Sequence, residues 1–424
     1  MTTSSIDRAT VPADRPKPEE NHWPGLDTPP HSPLRARIAE SLFRHAVRPL
    51  DVSVVLPDGK RLGAGGEGSP EMRLHRPAAF FHRLGVDAKI GFGESYMAGD
   101  WTTDRLAELL TPFAERMAVV IPPVLQKFRR FVDRRQPTVE QNTLEGARAN
   151  IHRHYDLSND LFATFLDESM MYSSAIFGPD DDLTVAQHRK LDSVLDYAGV
   201  RDGSEVLEIG TGWGELAIRA AARGARVTSL TISQEQKTLA DQRIAEAGFS
   251  DRVDVQLCDY RESQGEFDAV VSVEMIEAVG ADYWPTFFGT IGQRLRPGGK
   301  FGLQAITMDH DRMLASAASY TWIHKYIFPG GLIPSTRAVA EGIKENTQLK
   351  ANGVREFGQD YARTLRLWRE RFNQRWAEVA DLGFDEVFRR MWEFYLAYSE
   401  AGFRSGYLKV HQFGFAAPDA SDAG

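Results

Sequence analysis

The sequence predicts an α/β fold, a mostly parallel sheet with helices on both faces, preceded by a smaller N-terminal unit. Three observations predict it. From about residue 145, short apolar runs alternate with helical patterns. One run, Glu205–Ile209, enters a glycine turn, Gly210-Thr211-Gly212-Trp213-Gly214, that opens a helix. Ahead of residue 140 the alternation is missing and the texture changes.

Residues 1–35 are rich in proline and charge and poor in core-forming side chains, which predicts a disordered tail. Residues 36–140 are expected to form an N-terminal unit associated with lipid or membrane. Within it, Val52–Leu56, the Pro57-Asp58-Gly59 turn and Arg61–Gly63 read as a hairpin. Ile90–Trp101 (IGFGESYMAGDW) offers glycines for tight turns and aromatics for packing. Thr103–Arg116 reads as a capped amphipathic helix. Lys127–Arg135 (KFRRFVDRR) carries five basic residues and one acid. It reads either as a face for anionic headgroups or as a solvated helix face.

Residues 141–416 hold the alternation. Helices are expected over Gly214–Arg223 and Gln234–Gly248. Strands are expected at Arg226–Ile232, Val253–Leu257, Ala269–Val273 and Lys300–Ile306. Short apolar runs of this kind are buried strands of a parallel sheet. Residues 417–424 are small and acidic and read as a frayed tail.

Composition narrows the function. The chain has 424 residues, 42% of them hydrophobic, enough for two or three domains with real cores. Its formal charge of −9 argues against a broad grip on nucleic acid. The single cysteine, Cys258, excludes an intramolecular disulfide and fits a reducing compartment. No apolar run is long enough to span a bilayer, and the N-terminus lacks the order of a secretory signal. A cytoplasmic protein is expected, meeting the inner face of the membrane only peripherally.

The glycine turn is the sharpest motif. Glycines let backbone approach a ligand, and the helix N-terminus offers free N–H groups. A dinucleotide site would show GxGxxG and an acid about 20 residues on. Here the spacing is GxGxG, and the next strand ends near Thr231 and Gln236. Glu208 precedes the turn, Asp259-Tyr260 follow the third strand, and Glu274 follows Val270–Val273. With Leu295-Arg296-Pro297-Gly298-Gly299 before a late strand, this pattern resembles the class I S-adenosylmethionine-dependent methyltransferases. Their fold is Rossmann-like, with a mostly parallel seven-stranded sheet.

Further segments resemble the cyclopropane-fatty-acid synthase family, which includes the mycolic acid methyltransferases. They are His154–Phe162 (HYDLSNDLF), Met171-Tyr172-Ser173, Leu230–Ser233, Met275–Gly280 (MIEAVG), Ile327–Gly331 (IFPGG), Tyr361–Leu365 and Phe403–Tyr407. The resemblance covers about residues 145–415. Within the family, IGFGESYMAGDW, Leu257–Arg261 and Gln304–Met308 look nearest to the actinobacterial enzymes that make 10-methylene fatty acids, precursors of tuberculostearic acid.

The resemblance implies roles. Tyr172, Ser173, Gly210, Gly212, Trp213, Gly214, Thr231, Ile232, Gln236, Asp259 and Tyr260 would line the S-adenosylmethionine site. Glu277 and Tyr361 match an acid and a tyrosine of the catalytic pocket, and His154 is placed for proton relay or orientation. Many relatives hold bicarbonate in that pocket, touched by a cysteine and a histidine. Ser174 and Gln304 stand at those two positions, so bicarbonate is not counted on here.

The implied substrate is the cis double bond of an unsaturated, oleoyl-like phospholipid acyl chain. An alkene is a weak nucleophile, so alignment and exclusion of water are needed. The cation that forms can be stabilised by aromatic faces, for which Tyr155, Tyr172, Trp213, Tyr326 and Phe328 are candidates. A base must then remove a proton. Glu277 is the expected base, or the group that orients one, with Tyr361 bonded to it. His152, His154 and Asp156 lack further ligands, so no metal is expected. A hydride shift before deprotonation gives a 10-methylene chain, for which a partner reductase would be a consumer; a homo-oligomer is also open. The alternatives are a cyclopropane synthase acting through the same cation, and a non-catalytic lipid-binding protein.

Overall fold

The computed structural model describes residues 23, 25–116, 158–317 and 319–419. The N-terminal unit begins with helix α1 (Pro33–Val47), whose proline sits where a helix loses no hydrogen bond. Strand β1 (Ser53–Val55) and β2 (Arg61–Leu62) form the expected antiparallel hairpin, turning at Gly59 with φ +83°. β3 (Glu71–Leu74) pairs parallel to β1 and antiparallel to β4 (Trp101–Thr102). Helices α2 (Pro77–Val86) and α3 (Ala88–Met97) lie between them, and α4 (Leu106–Glu115) follows.

Three expectations need correction here. The tail predicted to residue 35 is too long: Leu26 is buried, and the buried Arg83 guanidinium donates to the Gly25 and Leu26 carbonyls. The glycines of IGFGESYMAGDW mostly serve helix packing. A Cβ on Gly91 would lie 2.4 Å from the Arg83 carbonyl oxygen, and one on Gly93 would lie 2.5 Å from the Trp322 ring. Only Gly99 in that segment has positive φ. The helix expected from Thr103 begins three residues later, with no side-chain cap; Thr103 Oγ1 accepts from Arg105 N instead. Lys127–Arg135 lies outside the described residues.

The larger unit opens with α5 (Asn159–Phe165) and α6 (Leu183–Tyr197). Alternation then gives β5 (Glu205–Ile209), α7 (Glu215–Ala222), β6 (Arg226–Thr231), α8 (Gln234–Glu246), β7 (Val253–Leu257) and β8 (Phe267–Val273). Next come α9 (Ile276–Val279), α10 (Trp284–Arg294), β9 (Leu295–Met308), α11 (His310–Ser316), α12 (Trp322–Tyr326) and α13 (Thr336–Asn346). The chain closes with β10 (Lys350–Glu356), α14 (Gly358–Gln374), α15 (Trp376–Asp381), α16 (Glu386–Arg404) and β11 (Leu408–Ala416). Beyond β11, Ala417 and Pro418 pair with the Gly298-Gly299 backbone, so the tail expected from 417 is ordered at its start.

The seven strands run β10-β11-β9-β8-β5-β6-β7, parallel except for β11, which is antiparallel to both neighbours. The chain goes outward from β5 through β6 to β7, then crosses to β8 on the other side. That reversal opens a crevice at the carboxyl ends of β5 and β8, where ligands of such sheets sit.

The two units share one core. Trp322 meets Phe394 at 4.8 Å, Tyr96 meets Phe394 at 5.6 Å, and the Tyr96 hydroxyl donates to Glu393 at 2.9 Å. Each large aromatic buried there contributes on the order of 2 kcal/mol.

Candidate active site

The glycine turn leaves β5 with φ of +101° at Gly210, +53° at Gly212 and +91° at Gly214. This conformation costs glycine little and other residues much. A Cβ on Gly212 would meet nothing within 4 Å, so the turn faces open space. Glu208 does not point there. Its carboxylate accepts from Ser229 at 2.5 Å between β5 and β6, and burial pushes it up to about 8.

The neighbouring strand ends complete this side. At the end of β6, Thr231 Oγ1 donates to Gln236 Oε1 at 2.9 Å, and Ile232 is half-buried. After β7, the buried Asp259 accepts from the Arg261 backbone and guanidinium, the latter at 2.7 Å. The buried Tyr260 hydroxyl has no hydrogen-bond partner among the described residues. The open turn, the ring of polar strand ends and that unsatisfied hydroxyl fit a ligand with a polar ribosyl and adenine portion.

On the other side of the loop, Tyr172, Ser173 and Ser174 part ways. Tyr172 enters an aromatic cluster, 5.1 Å from Phe162 and 5.3 Å from Trp368, with its hydroxyl 2.7 Å from that of Tyr395. Trp213 joins the cluster 5.1 Å from Phe162, its N–H donating to Asn159. Ser173 Oγ accepts from Lys190 at 2.6 Å, and burial lowers this lysine to about 8. Ser174 turns its hydroxyl to the Ala175 carbonyl and gives its backbone N–H to Glu274.

Glu274 is the centre of the polar pocket. Its Oε1 accepts from Ser174 N (2.9 Å) and Gln304 Nε2 (2.8 Å), and its Oε2 from the Tyr361 hydroxyl (2.9 Å). Burial raises its carboxyl, and the Gln304 donor, the charge of Lys190 and the donors from Ser174 and Tyr361 oppose that rise. It holds φ at +52°, left-handed for a non-glycine residue. The Gln304 amide is oriented from behind: Gln412 Nε2 donates to Gln304 Oε1 at 2.9 Å, and Ser193 donates to Gln412 at 2.6 Å. Glu277 is adjacent. Its Oε1 accepts from Ile306 N at 2.5 Å, while its Oε2 is shut from solvent with no partner among the described residues. Burial, then the charge of Glu274, pushes it up to about 8.

A family model described as mycolic acid cyclopropane synthetase matches residues 142–413. The chain belongs to this family. It is accordingly an S-adenosylmethionine-dependent methyltransferase of lipid acyl chains, on a class I methyltransferase fold. It is 50% identical to a tuberculostearic acid methyltransferase of Mycobacterium tuberculosis, over 97% of this chain and 98% of the relative. It is 33% identical to the cyclopropane-fatty-acyl-phospholipid synthase of Escherichia coli, over 84% of this chain and 90% of that one. Among solved structures, the cyclopropane synthase MmaA2 from Mycobacterium tuberculosis matches with TM-score 0.59 and 31% identity, covering 63% of this chain and 98% of that chain. The mycolic acid cyclopropane synthase CmaA1 complexed with SAH and CTAB matches with TM-score 0.59 and 29% identity, covering 66% of this chain and 99% of that one.

Bicarbonate, which the family resemblance implies for this pocket, does not fit the residues present. The donors that would hold it, Ser174 N–H, Gln304 and Tyr361, are all engaged by the Glu274 carboxylate. A second anion there would face both Glu274 and Glu277.

The structure brings together Glu277, Tyr361, Gln304 and Ser174, but around Glu274. Tyr361 bonds Glu274, not Glu277 as expected, and Ser174 acts through its backbone. His154 and Tyr155 lie outside the described residues. Of the aromatic candidates, Phe328 packs 5.8 Å from Tyr395, whereas Tyr326 turns away to Trp322 and Glu94. Sequence reasoning missed Lys190, Gln412, Phe162 and Trp368. Lys190 did leave a signal: it occupies the apolar stripe of α6 with Ala186, Leu191 and Val194.

Proposed function

We propose that this methyltransferase acts on the cis double bond of an oleoyl-like phospholipid chain at the inner membrane surface and yields a 10-methylene acyl chain. The observation that carries this reading is the 50% identity to the tuberculostearic acid methyltransferase along both units. The cyclopropane mycolic acid synthase 1 of Mycobacterium tuberculosis, by contrast, matches only 62% of this chain while covering 96% of its own length.

S-adenosylmethionine supplies the electrophilic methyl group. The glycine turn, Thr231 with Gln236, and Asp259 with Tyr260 would hold it. The cluster of Tyr172, Phe162, Trp213 and Trp368 offers ring faces to a carbocation on the acyl chain, with the Tyr172 hydroxyl engaged by that of Tyr395. Tyr361 connects that cluster to the carboxylates, packing edge-on 6.1 Å from Trp368 while bonded to Glu274. A carboxylate in this pocket takes the proton, and its position decides between ring and methylene. A methylene product calls for a downstream reductase to give a branched methyl.

The test is product structure. The full chain is incubated with S-adenosylmethionine and dioleoylphosphatidylglycerol vesicles, and the lipid is read by NMR. Vinylidene protons are expected. Ring-methylene signals alone would transfer the reading to cyclopropane synthesis, and unmodified lipid would overturn it.

A further inference from the structure

We infer that Glu274 is the base of this enzyme, a carboxylate carried by the chain itself, and that turnover needs no bicarbonate. The inference rests on the acyl-chain reading above and deepens it. Three donors from three separate segments of the chain converge on one side chain: Ser174 N–H, the Gln304 amide and the Tyr361 hydroxyl. Gln412 fixes the direction of the amide, so the donor set is built for an acceptor-only group. The backbone strain at φ +52° is what a designed position tolerates and a passive one does not.

The chemistry suits a restrained carboxylate. The tertiary cation left after the hydride shift is a strong carbon acid, so a modest base suffices. The danger is ester formation. Donors on both oxygens hold Glu274 in place and reduce its nucleophilicity, while its charge stabilises the cation. In the step itself, a C–H bond of the new methyl breaks. Its electron pair becomes the exocyclic C=C bond, and the proton passes to a Glu274 oxygen and later to water. Glu277 is the positioning neighbour that keeps the pair at a single negative charge.

Two experiments decide it. Wild-type turnover of oleoyl vesicles is measured in buffer stripped of carbon dioxide, with and without added bicarbonate; equal rates are expected. Glu274→Gly, which relieves the positive φ, should lose about 100-fold in kcat or more. Added formate or bicarbonate should restore part of it by occupying the vacated donors. S-adenosylmethionine binding by calorimetry checks the fold. Dependence of the wild type on bicarbonate, or a Glu274→Gly enzyme of near wild-type rate, overturns the inference. If the variant fails to fold, the bicarbonate arm still decides. A wild type with no lipid product defeats the acyl-chain reading instead.

The geometry of α1 points to a docking helix for an anionic bilayer. Ala36, Phe43 and Val47 face the core. On the opposite side Leu34, Ile38 and Leu42, spaced by four, are 72%, 54% and 45% exposed. Exposed Arg35 flanks this row on one side and Arg37, Arg44 and Arg48 on the other. The one acid, Glu40, is paired with Arg44 at 2.8 Å. In a chain of net charge −9, this local cationic frame around an apolar row complements acidic headgroups.

Co-sedimentation with dioleoylphosphatidylglycerol vesicles tests it without turnover. Wild type should bind these better than dioleoylphosphatidylcholine vesicles, and less in high salt. The triple variant Leu34→Glu, Ile38→Glu, Leu42→Glu should bind at least tenfold more weakly while retaining S-adenosylmethionine binding. Arg35→Glu with Arg37→Glu should act likewise. Unchanged binding in both variants, or a wild type that ignores headgroup charge, overturns the assignment.

Discussion

Gln412 shows how much of the pocket is decided one residue behind it. Its amide donates to both the Lys190 carbonyl and Gln304 Oε1. Gln412→Leu would leave the buried Gln304 Oε1 without its donor, at about 1–3 kcal/mol, would take the acceptor from Ser193, and would free the Gln304 amide to flip. A lower unfolding midpoint and a fall in kcat larger than the change in KM are expected. Glu208 and Glu277 are both raised to about 8 from ordinary carboxylate values. The folded state therefore binds more protons than the unfolded one between those limits, and stability falls as pH climbs from about 4.5 to about 8. Lys190, lowered to about 8, acts in the opposite sense and only above that pH. Tm should be higher at pH 5.5 than at pH 8, and Glu208→Gln should flatten the difference. A pH-independent Tm would contradict these burials.

Helix α3 is tightly constrained at both of its glycines, Gly91 and Gly93. Its N-terminus is capped by Asp87, whose carboxylate accepts from Lys89 N and Ile90 N. Gly93→Val would drive methyl groups into the Trp322 ring, and a loss of about 1–3 kcal/mol is expected by chemical denaturation. The sequence allowed most of the sheet to be read, because buried parallel strands such as Glu205–Ile209 and Phe267–Val273 are short apolar runs bounded by turns. It also made the glycine turn legible. It did not make α3 legible, because glycine that permits close helix packing looks the same in sequence as glycine that permits a turn. Nor did it reveal the centre of the pocket. Glu274 lies three residues from Glu277, and only the pairing of β8 with β9 shows which acid meets Gln304. Lys190 and Gln412 are brought to the site by contacts between distant segments, which periodicity cannot report.

For the molecule as a whole, the N-terminal unit and helices α14 to α16 form one body around Trp101, Trp322, Phe394 and Trp392. A chain beginning at residue 142 would expose that aromatic surface, so it should aggregate in size-exclusion chromatography where the full chain does not. No helix among the described residues is long and apolar enough to cross a membrane. The proposed route through a hydride shift is tested with oleoyl phospholipid carrying deuterium on both alkene carbons, followed by NMR of the isolated product. Methyl transfer, hydride shift and loss of a methyl proton predict a methylene group with both deuterium atoms on the one adjacent carbon. A ring with one deuterium on each carbon would contradict it.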